Sequence, residues 1–111
     1  MDQRPDLRRP MLPALERPVA RDFRMTRSGD AIVFRVRAPV ARTVELMADF
    51  TGWTPVPFVS GRAGWWSLTF PVVAGVHRIN LRVDGGGWGV PAGLTMVTDG
   101  FGGVVGLIAV E

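Results

Sequence analysis

The chain has 111 residues, 47% of them hydrophobic and 21% charged, with a formal charge of +3, one histidine and no cysteine. That length supports one domain with a modest core, and the missing cysteines exclude disulfides, thiol chemistry and cysteine-ligated metals. No apolar run nears the ~20 residues of a membrane helix, and no apolar stretch follows Arg8-Arg9 to make a secretory leader, so the expectation is a cytoplasmic chain without a membrane partner.

The charge is unevenly placed. Residues 1–27 carry seven arginines against four acids, and the rest carries six against six. Nucleic-acid-binding domains hold their basic patch on the fold, so the neutral body argues against that partner. Pro5, Pro10, Pro13 and Pro18 block helix in the first segment. A Pro/Arg-rich tail is expected over residues 1–22, extended or loosely packed through about residue 20, with the folded domain over 23–111.

From Phe23 onward the hydrophobic period is two. Residues 23–27 and 31–37 read as a hairpin about Ser28-Gly29-Asp30, with Ile32, Phe34 and Val36 on one face. A strand marked by Thr43, Val44 and Leu46 ends near Met47, and a loop runs from Asp49 to Pro55. Short strands at Val56–Val59 and Trp66–Phe70 flank the turn Gly61-Arg62-Ala63-Gly64. Val76–Val83 is a clean strand: His77, Ile79, Leu81 and Val83 share the core face, while Arg78, Asn80 and Arg82 share the wet one. Asp84-Gly85-Gly86-Gly87 forms a tight turn, and the Asp84 and Asp99 side chains are expected to bond turn backbone. Val104–Val110 is the last strand. The sum is an all-β, antiparallel β-sandwich with no helix beyond a short turn. Its expected core is Phe34, Val36, Leu46, Trp66, Leu68, Phe70, Ile79, Leu81 and Ile108, with Trp65 partly exposed.

Two of the four tryptophans, Trp53 and Trp88, fall in loops. An indole is nearly rigid and accepts the C–H face of a sugar ring, and a planar amide such as Asn80, flanked by Arg78 and Arg82, can bond the hydroxyl rim. Catalytic readings fail one by one. A single histidine cannot build a metal centre, and His77 alternates with core residues, which suits a hydrogen-bonded core histidine rather than a base. Without lysine there is no P-loop at Gly85-Gly86-Gly87. The deep cleft with paired carboxylates that a glycosidase needs hardly fits a domain this small. The reading is a binding module that is not an enzyme, without metal or cofactor.

The order FRVRAPVARTVELMADFTGW, GWWSLTFPVVAGVHRINLRVDGGGW and TDGFGGVVGLIAVE resembles the early-set glycogen-binding domain, carbohydrate-binding module family 48. That family includes the AMP-activated protein kinase β-subunit module and the N-terminal domains of isoamylases and branching enzymes. The shared marks are an Ala-Pro before a V-x-L strand, a D-F-x-x-W loop, a W-x-L-T-x-P-x-x-x-G segment, a V-D-G turn followed by Trp, and a terminal D-x-F-G-G, together spanning about residues 28–111. The resemblance implies an immunoglobulin-like early-set sandwich that binds α-1,4-glucan of the glycogen or starch kind and targets a partner protein or enzyme to it. It implies stacking on Trp53 and Trp88, a hydrogen bond from Asn80 and an apolar wedge at Phe101; Arg78 is included as a flanking contact. The chain departs from the pattern at Asn80, Gly103 and Val105, where many members carry Lys, Thr and Asn. The alternative is an early-set domain that has lost sugar binding and serves as a protein-interaction or structural module.

Overall fold

The computed structural model describes Ala20, residues 22–98 and residues 102–111. Among these, nine strands run in chain order: β1 (Asp22–Ser28), β2 (Ala31–Arg37), β3 (Val44–Ala48), β4 (Val56–Pro57), β5 (Val59–Ser60), β6 (Trp65–Pro71), β7 (Gly75–Val83), β8 (Thr95–Thr98) and β9 (Val104–Val110). They form two antiparallel sheets, one ordered β1-β2-β6-β5 and the other β4-β3-β7-β9-β8. Two 3-10 turns, Asp49–Thr51 and Arg62–Gly64, are the remaining regular elements among the described residues. This is an all-β sandwich compatible with the immunoglobulin-like early-set architecture.

Pairing follows from period two. Phe23 and Met25 of β1 lie opposite Val36 and Phe34 of β2, and Phe34 and Val36 lie opposite Leu68 and Trp66 of β6. Leu46 lies opposite Leu81, and Ala48 opposite Ile79, in the second sheet. Phe34, Val36, Leu46, Ile79 and Leu81 are fully buried, and Trp66 and Ile108 are nearly so. Leu68 and Phe70, expected in the core, are only partly buried and pack against it. The edge strand β5 is two residues long and meets β6 only at Ser67 and Trp66, so Leu68 and Phe70 have no neighbouring strand on that side.

Phe50 links the two layers. Its ring stacks on Phe34 at 5.8 Å, tilts against Phe70 at 5.7 Å and meets the edge of His77 at 5.4 Å. Offset and edge-to-face contacts of this kind add to what burial alone gives.

Three expectations need correction. The single short strand expected over Val56–Val59 is two: β4 belongs to the five-stranded sheet and β5 to the four-stranded one. Phe58 between them is buried, and its N–H donates to Val44 O at 2.8 Å, so the chain changes layers there. β8 was not expected at all. Ala20, assigned to the loosely packed tail, is buried in the core, and its carbonyl accepts from Ala92 N–H at 2.9 Å. The rest of the segment 1–19, with Arg21, Asp99 and Phe101, lies outside the described residues.

The β7 turn is built as expected. Asp84 and Gly85 both have positive φ, 54° and 68°, and Gly86 N–H donates to Val83 O at 3.1 Å, the pattern of an Asp-Gly turn with two left-handed residues. The Asp84 side chain, expected to bond turn backbone, instead reaches the chain before β3: its carboxylate accepts from Thr43 N–H and Arg42 N–H at 2.9 and 2.6 Å. Those donors, Thr43 first, hold its carboxyl below the usual carboxylate value. A folded-state value below the unfolded one stabilises at neutral pH and is lost as pH falls through the folded value. Asp84→Asn should therefore be less stable than wild type at neutral pH, and the gap should close below about pH 4. Urea midpoints at neutral and acid pH check this; a gap that widened in acid would reverse the assignment.

Candidate functional site

The loop after β3 has an anchoring half and a displaying half. Asp49 Oδ1 lies 3.0 Å from His77 Nδ1, and Asp49 Oδ2 accepts from Arg78 N–H at 3.1 Å. His77 Nε2 lies 2.8 Å from Val73 O, so both ring nitrogens are engaged, while the residue is partly buried rather than in the core as expected. The Thr51 hydroxyl accepts from Ala48 N–H and donates to Ala48 O, both at 3.0 Å. With Phe50 in the aromatic cluster, residues 49–51 are clamped to β3 and β7. Gly52 and Trp53 then turn outward with φ of 64° and 60°. Trp53 N–H donates to Ala48 O at 2.9 Å, and the residue is 41% exposed.

Trp88 is placed by a backbone bridge. Gly89 and Leu81 exchange two hydrogen bonds, at 2.8 and 2.9 Å, which sets residue 88 beside Arg82. The Arg82 guanidinium carbon lies 4.4 Å from the Trp88 ring centroid, and its Nε donates to Glu45 Oε1 at 2.8 Å. The Arg82 and Glu45 side chains are about three-quarters buried (26% and 25% exposed). Glu45 neutralises Arg82, so this part of the surface offers an aromatic ring over a satisfied ion pair.

The four described candidates thus attach to one sheet. Trp53 hangs from Ala48, whose β7 partner is Ile79, and Trp88 lies beside Arg82 on the other flank of β7. The two levels differ by three residues, about 10 Å of strand. Asn80 lies between these levels, opposite Met47. Arg78 is exposed and has its backbone N–H on Asp49.

Asn80 is not on a wet face. It is only 7% exposed, and its Oδ1 is buried without a hydrogen-bond partner. Its outward orientation follows from the strand period, but outward is not solvent here. Gly89 bridges β7 at Leu81, and Val90 and Pro91 after it are buried. Val90 also lies so close over Gly106 that an added Cβ would meet it at 2.8 Å. Val105, another departure from the family pattern, is 4% exposed. Sequence reasoning did not single out Glu45 or Asp49 as supports. The signal for Asp49 is the acid directly before the anchoring Phe50. Glu45 becomes visible only once β3 is registered against β7.

The family model described as carbohydrate-binding module 48 (isoamylase N-terminal domain) matches residues 22–102. No curated protein matches the chain.

Proposed function

The chain belongs to the carbohydrate-binding module 48 family, and from that premise we propose that it holds an α-1,4-glucan of the glycogen or starch kind on a tryptophan platform. It does so without catalysis, and brings a partner protein or neighbouring domain to the polysaccharide. Trp53 and Trp88 stack on glucose rings, with Arg78 at the rim; Asn80, buried in the free chain, contributes only if it becomes accessible, and Phe101 is the apolar wedge.

The observation that supports this reading best is Trp53. A bulky residue at φ 60° carries backbone strain of order 1–3 kcal/mol, and a large part of the indole, 41% of the residue, is left exposed. A flat apolar ligand would cover the indole surface that packing leaves open.

Electrophoresis through gels with and without glycogen tests it. The wild type should be retarded, with little dependence on salt because the ligand is neutral. Trp53→Ala and Trp88→Ala should each weaken binding by about 1–3 kcal/mol, roughly fivefold to 150-fold, by analogy with stacking on aromatics. Trp53→Ala should keep its urea midpoint. The burial of Asn80 and Val105 favours a second reading, an early-set domain that has lost sugar binding and serves as a protein-interaction or structural module. A wild type that migrates unretarded would decide for it.

A further inference from the structure

The other outer face, that of the four-stranded sheet, is chemically distinct. Registered pairs place Arg24, Arg35 and Ser67 in one row across β1, β2 and β6, and Arg37 beside Trp65 in the next. The Arg24 and Arg35 guanidinium carbons lie 5.1 and 4.7 Å from the Trp65 ring centroid. All three arginines are exposed, and among the described residues none pairs with a carboxylate. Val59, 70% exposed, extends the same face next to Ser67. Trp65 has a firm mount: Trp66 Nε1 donates to Ala38 O, and Ala38 N–H donates to Gly64 O.

We propose that this face is a docking surface for an acidic segment of another protein. The Arg24 and Arg35 guanidiniums gathered on one tryptophan repel each other, and unpaired they gain only the ring's quadrupole; Arg37 stands in the next row, opposite Asp22 of β1. Carboxylates would meet planar guanidinium forks already oriented by the indole. Neighbouring strands put Arg24 and Arg35 about 5 Å apart, and Arg37 stands about 7 Å along the strand from Arg35. Alternate side chains of an extended peptide have that second spacing, so acids at every second position can meet Arg35 and Arg37 together. The patch is too short for the run of phosphates that a nucleic-acid footprint engages, and Val33, Thr26 and Thr69 continue the face without charge. A second copy of this chain fits poorly, since no two of its acids stand two residues apart in the sequence, and Glu45, Asp49 and Asp84 are already engaged by Arg82, His77 and backbone N–H groups. The surface belongs to the sheet opposite the one that carries Trp53 and Trp88, so the two can be occupied together.

The test is fluorescence anisotropy of a short fluorescein-labelled peptide of alternating glutamate and leucine, titrated with the full chain so that the arginine-rich tail is constant. Binding should weaken at least about tenfold in Arg24→Glu/Arg35→Glu, while Arg42→Glu, a single reversal away from this face, changes it little. The double variant should keep the far-UV spectrum of wild type and its migration in glycogen gels, whatever that migration is, so failure here and failure of the glucan reading are separable. An unchanged affinity in the double variant, an equal loss in Arg42→Glu, or tighter binding of an oligothymidylate than of the peptide would each overturn the proposal.

Discussion

Trp66→Ala should leave the domain largely unfolded at physiological temperature. Trp66 is 9% exposed, lies opposite Val36 and belongs to the inner strand β6. Truncating a buried tryptophan costs about 3–5 kcal/mol through lost burial and the cavity left behind. The substitution also removes the indole N–H that satisfies Ala38 O at 3.0 Å, and a carbonyl robbed of its partner adds to the loss. Domains of this size hold only about 5–15 kcal/mol in total. The expected fall in Tm is about 15 °C or more, read by circular dichroism. An unchanged Tm would mean that Trp66 and Trp65 have exchanged faces.

Gly64→Ala should be the costliest of the glycine substitutions in the turns. Gly64 has φ 78°, and an added Cβ would sit 2.6 Å from Pro39 Cα and 2.7 Å from Pro39 Cβ. Those atoms belong to backbone and a proline ring, so no flexible side chain can swing aside. The same peptide accepts from Ala38 N–H at 2.8 Å, which ties any displacement to the mount of both tryptophans. Conformational strain and overlap together should cost about 2–4 kcal/mol. Gly29→Ala provides the comparison, since Gly29 has φ 61° and open space around it; it should lose only about 1 kcal/mol. Paired urea titrations measure the difference. Equal losses at the two positions would show that the approach of Pro39 relaxes without cost.

What the sequence could reveal depended on whether the deciding contact was local. The inner faces of β2 and β7 were legible because alternating burial is written into consecutive residues, and the Asp84 turn because Asp-Gly chemistry is local. β8 was not. Its four residues include no buried one, so no alternation marked it. The change of sheet at Phe58 was invisible for a related reason: four consecutive residues compatible with a strand say nothing about which neighbour each will pair with. At the candidate site, loop placement exposed Trp53 as a displayed residue. The strand period assigned Asn80 to the wet face, but it is 7% exposed, and what buries a position is not written in the alternation of its own strand. Arg82 and Glu45 needed the strand register before they could be seen as supports of Trp88.

The crossing at Phe58 bears on the mechanics of a tether. A module that held polysaccharide on one side and a protein on the other, as proposed above, would work under tension, and in a sandwich the weak direction is the parting of the two leaves. Here β4 and β5 are consecutive stitches of one thread, with the buried Phe58 as the knot between them. Load on the arginine face reaches the opposite leaf within five residues of covalent chain, Val56 to Ser60, rather than through side-chain contact alone. Parting the leaves at that edge would first have to draw Phe58 out of the core, so a pull on either face meets the buried ring before the sheets separate there.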